Sequence, residues 1–367
     1  MAGPTPSSPQ SFARILQTCD NFRLNLTDPA AEHLVTWRLI SDPESPAIGL
    51  LRPPIVQQLL HEIEGTKDGS AWEVQDHDGK QVISFASHVN TSAARSRVMK
   101  ELCERWRDEG LWSDVVGPKK WRGEMYPIYR NPFGPHDAPS EAEEFATAAT
   151  VGSTSAVQDS EDRRNYAFMM ERAACALFGV VTYGVHMTVY EEDPDELGLP
   201  KSCRMWIPTR SKSKQTWPRW LDNSVAGGIP SGLGAFESLV KESMEEASIE
   251  EAIVRRHART VGSVSYFFKT PLGWLQPEVE YVYDLRIPPG VDPTPFRPKP
   301  LDGEVEAFEL LPLEDVITRM RSGLFKPNTA LVILDFMIRH GYMTVENEPD
   351  YQEIVTRLHG RFEYDQW

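Results

Sequence analysis

The sequence has little cysteine and no long hydrophobic segment. Its 367 residues include four cysteines and no CxxC pair, so we expect reduced thiols and no disulfide framework. No apolar run approaches the roughly 20 residues that a transmembrane helix needs. The first residues, MAGPTPSSPQSF, lack the apolar core of a secretion signal. These absences predict a cytoplasmic protein that makes no contact with membranes.

Positive charge is also scarce. The chain has 38 lysines and arginines against 54 aspartates and glutamates, which gives a net charge of -16. Such a surface repels nucleic acid and anionic membranes, so we expect neither as a partner. An anionic ligand must therefore be held by a local cluster of donors or by a metal ion.

The composition along the chain predicts an α+β protein with two folded domains. Residues 131–162 are dominated by proline, alanine, serine, threonine and acids, which predicts a loop insertion, and a helix is expected over residues 163–178. The predicted segments are a disordered N-terminus (1–11), an N-terminal α+β domain (12–179), a second domain (180–343) and a C-terminal helical tail (344–367).

A glycine-rich loop precedes a helix that carries three glutamates on one face. Residues 226–249 are AGGIPSGLGAFESLVKESMEEASI, which predicts a strand, a loop and a helix over about residues 234–247. At about 100° per residue, Glu242, Glu245 and Glu246 fall within roughly 100° of arc. The face expected to pack against a sheet contains Phe236, Val240, Met244 and Ala247.

The three glutamates of this helix form a candidate metal site. Carboxylates three and four residues apart on a helix repel one another, and a hard divalent cation would offset that repulsion. Mg²⁺, or Mn²⁺ in its place, prefers carboxylate oxygens combined with phosphate oxygens of a substrate. A solvated acidic helix face in an acidic protein is the alternative.

The same segment resembles the Nudix box, in which a glycine is followed at fixed spacing by a glutamate, then by Arg-Glu and by Glu-Glu. The residues that match are Gly227, Glu242, Glu245, Glu246 and Ile249. The resemblance implies a Nudix fold, with a mixed sheet between helices, preceded here by a smaller α+β domain. It also implies a metal-dependent hydrolase of diphosphates with catalytic and metal-binding roles for the three glutamates.

Three positions of the box differ from the family pattern. Leu233 stands in place of the first glutamate, Lys241 in place of the arginine and Ser248 in place of the late glycine. In the family this glutamate and arginine form a structural ion pair. Because Glu237 lies four residues before Lys241, we expect these two side chains to remake that pair along the helix.

The resemblance extends to one Nudix subfamily, through the segments YGVHMTVY, WIPTRSKSKQTWPRWLDNSVAGGIPSGL and FKPNTALVILDFMIRHG. This subfamily includes the Nudix part of fungal thiamine pyrophosphokinase-type proteins, and plant and yeast relatives that hydrolyse oxidised thiamine diphosphate. The likeness is close over residues 163–343 and loose over residues 12–130. It implies cleavage of damaged thiamine diphosphate to the monophosphate and phosphate. Few residues follow Gly341, so we expect no kinase activity.

Other candidate residues surround the glutamate helix. Residues 204–220 contain five basic residues and no acid, a local reversal of charge that can receive a diphosphate. Trp217 can stack on an aromatic ring, although a solvated loop and a core tryptophan are the alternatives. Glu304 stands where many Nudix enzymes place a further metal-binding or catalytic carboxylate. The predicted substrate-binding residues are Arg210, Lys212, Lys214, Trp217, Gly227, Gly228, Lys326 and Asn328.

Three other functions remain open. A pyrophosphatase for ADP-ribose or nucleotide sugars would keep the chemistry and change the pocket. An isomerase of isoprenyl diphosphates shares the fold but needs a cysteine near the diphosphate, and Cys203 is the only cysteine of the second domain. A catalytically silent binding module would account for the changes at Leu233 and Ser248. The identity of the general base stays open among Glu242, Glu245 and Glu304.

Overall fold

The structure is a computed structural model. It describes residues 3–24, 32–42, 44–66, 69–77, 79–138, 164–194 and 200–362. Most of the loop insertion predicted at 131–162 lies outside the described residues.

The N-terminal part combines a small sheet with three longer helices. Two helices begin at side-chain caps: the Ser11 hydroxyl accepts from the Arg14 N–H, and the Thr91 hydroxyl accepts from the Ala94 N–H. In chain order the elements are α1 (Phe12–Cys19), β1 (Val35–Arg38), β2 (Ala47–Leu51), α2 (Pro53–Gly65), β3 (Trp72–His77), β4 (Lys80–Phe85), α3 (Ser92–Asp108), β5 (Met125–Tyr129), β6 (Tyr166–Glu171) and α4 (Cys175–Phe178).

Aromatic side chains fill the core of this part. The strands form a sheet of order β2-β1-β4-β3, in which β1 and β4 are parallel and the other pairs antiparallel. Trp37 on β1 is fully buried, with ring centroids 5.1 Å from Phe178 and 5.5 Å from Phe85. Trp106 of α3 stacks on Phe178 at 5.7 Å. Helix α3 and β6 pack together, so this core also holds the antiparallel pair of β5 and β6 in place.

The helix predicted over residues 163–178 is wrong. Residues 166–171 form β6, which pairs antiparallel with β5, and a 3-10 turn (Arg172–Ala174) leads into the short helix α4. The YAFMM run of β6 is apolar on both faces and almost wholly buried. A short run of this kind cannot be distinguished from a buried helix by periodicity, and the pairing with β5 decides its conformation.

The second part is built on a larger mixed sheet. Its elements are β7 (Thr182–Pro194), β8 (Pro200–Arg210), β9 (Val225–Gly228), α5 (Ala235–Ala247), α6 (Glu251–His257), β10 (Arg259–Lys269), β11 (Leu275–Arg286), β12 (Val305–Pro312), α7 (Leu313–Arg321), α8 (Pro327–Arg339) and α9 (Tyr351–Leu358). The strand order is β10-β11-β7-β8-β12, and β9 pairs with β7. The β7–β11 pair is parallel and the other pairs are antiparallel.

Helices cover both faces of this sheet. Helices α5 and α6 contact β7, β9 and β11, and α7, α8 and α9 contact β8 and β10. Alternate residues of β11 serve the two faces: Val282 packs with α8, and Tyr283 packs in the core that contains α5 residues. The mixed α+β class with a sheet between helices is therefore confirmed. The sequence did not predict α6.

Helix α1 packs in the core of the second part, although the sequence assigns it to the N-terminal domain. Phe12 and Leu16 share an apolar cluster with residues of α7, α8 and α9. The residues before α1 differ from the predicted disorder, because the Ser7 N–H donates to the Ser322 carbonyl at 2.9 Å and the Gln10 N–H to the Arg321 carbonyl at 3.0 Å. The remaining domain boundaries stay a prediction.

In the part of the chain that the structure describes, no helix is long and apolar enough to cross a bilayer.

We predict that Asp20→Ala lowers the free energy of unfolding by about 3 kcal/mol, because it breaks a buried ion pair. Asp20 is 2% exposed, accepts from the Phe267 N–H at 3.1 Å and pairs with Arg357 at 2.9 Å. It therefore fixes α1 to β10 and α9. Denaturant unfolding measures the change. The control Asp108→Ala, at an exposed residue, should change the free energy of unfolding little. Equal effects of the two substitutions would contradict the prediction.

Candidate functional site

Helix α5 lies against β9 and β7 through small residues. Ser238, Leu239 and Ser243 are fully buried, and α5 begins after Gly234. Met244, which the sequence places on the buried face, is 43% exposed. The buried face is rotated towards the serines because their short side chains allow a close approach to the sheet. This rotation carries Glu242 and Glu246 inward and leaves Glu245 outside.

Glycine at position 227 makes room for Glu242. A Cβ atom on Gly227 would overlap the side chain of Glu242, its Cδ and Cγ atoms above all. The Glu242 carboxylate therefore lies directly on the backbone of β9, with only 16% of its side chain exposed. Burial raises the pKa of Glu242, and the charge of Lys241 offsets this shift in part.

Glu246 is the most buried of the three glutamates. It is 6% exposed, and its Oε2 atom accepts a hydrogen bond from the Ala226 N–H at 3.2 Å. Its Oε1 atom lies 3.4 Å from the Lys214 ammonium. Burial raises the pKa of Glu246 to about 7, and Lys214 opposes the shift. Additional positive charge beside this carboxylate would stabilise its ionised form.

The ion pair predicted between Glu237 and Lys241 is wrong. Lys241 pairs with Glu245 at 2.9 Å and with Glu242 at 3.2 Å. Glu237 instead receives two hydrogen bonds from Arg255 of α6, at 2.6 and 2.9 Å. A bidentate arginine pair has better geometry than a single lysine contact, and α6 brings Arg255 into reach. This pair connects the start of α5 to the next helix.

Ser248, which replaces the late glycine of the Nudix box, ends α5 in a left-handed conformation. Its φ is 53° and its N–H donates to the carbonyls of Met244 and Ser243. Glycine favours such a position because it has no Cβ atom. The Ser248 hydroxyl donates to the Lys299 carbonyl at 3.0 Å, and this hydrogen bond helps to hold a serine there.

The basic loop after β8 reaches the glutamates through Lys214. The Lys214 ammonium contacts Glu246 and also forms a close ion pair with Glu304. Arg210 has a different part: its guanidinium donates to Asp222 and to the carbonyls of Trp217 and Thr216. Because all three of its nitrogens are engaged, we expect Arg210 to hold the loop in place and not to bind substrate.

These residues line a cavity of about 520 Å³. That volume lies within the range of small-molecule binding sites. The structure brings to its wall all but one of the predicted catalytic, metal-binding and substrate-binding residues, and the exception is Lys212, which is exposed. Those on the wall are Glu242, Glu245, Glu246, Glu304, Arg210, Lys214, Trp217, Gly227, Gly228, Lys326 and Asn328. Their roles stay predictions.

The floor of the cavity is a buried polar network that the sequence analysis missed. Glu280 of β11 accepts from the Tyr266 hydroxyl at 2.8 Å and from the Asn328 amide at 3.0 Å, and lies 3.5 Å from His186. Burial alone would raise the pKa of Glu280, but the charges of His186 and Lys326 keep that pKa below its usual range. Glu278 lies on the same face of β11. Two acids two residues apart in an apolar strand are the signal that could have revealed this floor.

Asn328 holds an unsatisfied acceptor in this floor. The residue is 6% exposed, and its Oδ1 atom has no hydrogen-bond partner among the described residues. A buried polar atom without a partner costs about 1–3 kcal/mol. A ligand or a water molecule in the cavity would supply the missing donor.

Two cysteines of the N-terminal part also lie on the wall. Cys19 and Cys175 are both 2% exposed, and burial raises the pKa of each thiol well above its ordinary value. Both therefore stay protonated and are poor nucleophiles. Cys203, which the isomerase alternative requires, is buried and is not among the residues that line the cavity.

The glutamate side chains of α5 offer carboxylate oxygens, which are suitable ligands for a divalent metal ion. Glu242 and Glu246 are buried carboxylates whose pKa values are raised by burial, and Glu245 stands beside them on the wall. In the described ranges, no three histidine, cysteine or acidic side chains converge in a metal-binding arrangement. The carboxylates point instead to Lys241 and Lys214. Ion binding would require these two ammonium groups to be displaced.

Comparison with known proteins gives related sequences. No model of a known protein family matches the chain. The chain is 44% identical over 264 residues to uncharacterized protein YJR142W of Saccharomyces cerevisiae, covering 69% of this chain and 65% of that protein. It is 42% identical over 196 residues to Nudix hydrolase 20, chloroplastic, of Arabidopsis thaliana, covering 53% of this chain and 48% of that protein. A Nudix hydrolase of Deinococcus radiodurans is 34% identical over 121 residues, with 33% of this chain and 62% of that protein covered.

The chain is similar in sequence to proteins named Nudix hydrolase. The matches cover less than two thirds of the length of each of these relatives. Among solved structures, the neighbours of this chain include DR0079 from Deinococcus radiodurans, at 25% identity and a TM-score of 0.30 over 41% of this chain and 80% of that one. A C. elegans Ap4A hydrolase is 13% identical, with a TM-score of 0.31 over 44% and 99%. At these TM-scores the likenesses support no statement about function.

We predict that Gly227→Ala lowers the free energy of unfolding by about 1–3 kcal/mol, because the new methyl group overlaps Glu242. Gly65→Ala is the control: a Cβ atom there meets nothing within 4 Å, and the residue ends helix α2. Its stability should be unchanged or slightly higher. Chemical denaturation compares the variants. Wild-type stability of Gly227→Ala would show that the Glu242 side chain does not lie on β9 as described.

Proposed function

We propose that the chain is a metal-dependent hydrolase that cleaves a small-molecule diphosphate. The observation that carries this proposal is the group of three glutamates on α5, two of them buried with raised pKa values, at the wall of a cavity that also contains lysines. Buried carboxylates without sufficient positive charge are costly. They are retained where a cation and a phosphate chain complete the site. The sequence relatives named Nudix hydrolase support the same activity.

Glu242, Glu245 and Glu246 would hold Mg²⁺ or Mn²⁺. When bound, such an ion neutralises charge that develops on the phosphoryl oxygens and lowers the pKa of water. Glu246 is fixed by the Ala226 N–H, and Glu242 by its contact with Gly227. These contacts orient both carboxylates before a ligand arrives, so little reorganisation is needed.

The lysines of the site are suited to the phosphate chain. Lys326 lines the cavity at the start of α8, and its ammonium makes no ion pair with any described residue. Lys214 can exchange its contacts with Glu246 and Glu304 for phosphate oxygens. Glu304 would then be released as a free carboxylate beside the substrate. Glu242, Glu245 and Glu304 are the candidates for the group that takes the proton of the attacking water.

We propose an oxidised form of thiamine diphosphate as the substrate, with the monophosphate and phosphate as products. The resemblance of residues 204–232 and of the FKPNTALV segment to the thiamine-linked Nudix subfamily supports this choice. The cavity adds a physical argument, because Trp217 can stack on a ring and Asn328 Oδ1 lacks a donor. Selectivity has to come from this organic end, since the diphosphate is common to all candidates.

Glu245→Gln should reduce turnover to less than about a tenth of wild type, because it removes one charged ligand of the ion. The fold should persist, since Glu245 is half-exposed and its side chain pairs with Lys241 at the surface of α5. Phosphate release at saturating Mg²⁺ measures the effect. Glu251→Gln on α6 is the matched control, an exposed glutamate outside the cavity wall that should keep full activity. A Glu245→Gln enzyme with more than about a tenth of wild-type turnover would exclude the assignment of Glu245.

The substrate proposal predicts a higher kcat/KM for oxidised thiamine diphosphates than for ADP-ribose, nucleotide sugars or intact thiamine diphosphate. If the wrong ring leaves a buried polar group of the site without a hydrogen-bond partner, binding of that ring is strongly disfavoured. Steady-state kinetics on the purified chain measures the ratios. A preference of about tenfold for ADP-ribose or the intact cofactor, roughly 1.4 kcal/mol in transition-state binding, would refute the substrate and leave the hydrolase proposal standing.

A further inference from the structure

Part of the cavity wall comes from the N-terminal part of the chain. Arg122 and Glu124 directly precede β5, Tyr126 is its second residue, and Arg172 directly follows β6. The fold around them is firmly connected, because Glu171 accepts from the Arg122 and Gly123 N–H groups at 2.8 and 3.1 Å. The site on α5 is thus completed by residues outside the second part.

This wall stands next to the glycines of β9. A Cβ atom on Gly228 would overlap the Tyr126 hydroxyl, so the tyrosine touches the backbone one residue beyond the glycine that holds Glu242. The Ser231 N–H also donates to the Met125 carbonyl at 2.8 Å. Arg172 lies over the Tyr126 ring, 5.0 Å from its centroid. A ligand bound at the α5 glutamates is therefore close to Arg172.

The two arginines keep donors free for a ligand. Arg172 donates through Nη1 to Glu124 at 2.8 Å, and no further hydrogen bond of its guanidinium to a described residue is found. The Arg122 guanidinium has no hydrogen-bond or ion-pair partner in the described part of the chain; only its backbone N–H is engaged. Burial and the neighbouring charge of Arg172 lower the pKa of Arg122. In a chain of net charge -16, an arginine whose guanidinium has no hydrogen-bond or ion-pair partner among the described residues is unusual.

We propose that Arg122 and Arg172 bind the terminal phosphate of the substrate, so that the N-terminal part supplies an anion site to the catalytic cavity. The guanidinium group can donate to two phosphate oxygens at once, and such charge-assisted hydrogen bonds are among the strongest in proteins. A phosphate between the two arginines removes their mutual repulsion. It would also fix the phosphorus that water attacks relative to the α5 glutamates. The inference rests on the proposed diphosphate hydrolysis.

Titration calorimetry of the full chain with inorganic pyrophosphate, in the absence of metal ions, tests the anion site. Arg122→Gln should weaken binding roughly tenfold or more, because a charge-assisted hydrogen bond is lost. Its fold should persist, since the Arg122 side chain makes no hydrogen bond or ion pair with a described residue. Arg97→Gln, an exposed arginine of α3 outside the cavity wall, should bind as the wild type does. Unchanged affinity of Arg122→Gln, equal weakening in both variants, or no measurable binding by the wild type would overturn the inference.

A second measurement uses Arg172→Lys, which keeps the charge and removes the fork. We expect this variant to bind pyrophosphate more weakly and to have a higher KM for the substrate. Phosphate should inhibit the wild type competitively, and its inhibition constant should rise in the variant by about the same factor as KM. Noncompetitive inhibition would place the anion elsewhere and contradict the inference. Binding needs no turnover, so the two proposals fail separately. A chain that binds pyrophosphate through Arg122 but releases no phosphate refutes the hydrolase alone, and full turnover with unaltered binding in Arg122→Gln refutes the anion site alone.

Discussion

The close approach of α5 to β9 is the constraint on which the rest of the site depends. Gly227 has no side chain, so Glu242 lies on the strand backbone, and Glu246 is held by the Ala226 N–H. This contact buries two carboxylates on one helix. Their repulsion and their lost hydration weaken the helix unless positive charge is close. Lys241 and Lys214 supply part of it, and the proposed metal ion and substrate would supply the remainder.

The same contact determines how the two parts of the chain meet. Gly228 follows Gly227 and accommodates Tyr126, so the pair of strands β5 and β6 contacts β9, the strand on which Glu242 lies. The N-terminal part thereby forms a wall of the cavity. Its aromatic core, with Trp37 and Trp106 fully buried, gives that wall a rigid support. A catalytic group placed on packed elements is held more firmly than one on a free loop.

Sequence reasoning predicted the local features and missed the contacts between distant segments. The α5 helix and the glutamates on one of its faces follow from helical periodicity and from the glycine-rich loop before them. The Glu237–Arg255 pair could not be predicted, because it depends on how α6 folds back on α5. Likewise, Glu280, Tyr266 and Asn328 meet only after β10, β11 and α8 have packed. The strand β6 was mistaken for a helix because its apolar run has no period of its own.

We propose that the α5 glutamates serve metal-dependent cleavage of a diphosphate. This proposal is tested by phosphate release from a panel of diphosphates, measured on the purified wild-type chain with Mg²⁺ and again after chelation. We expect release from at least one diphosphate that disappears on chelation and returns when Mg²⁺ or Mn²⁺ is added back. Release that is unaffected by chelation, or no release from any member of the panel with either metal, would contradict it.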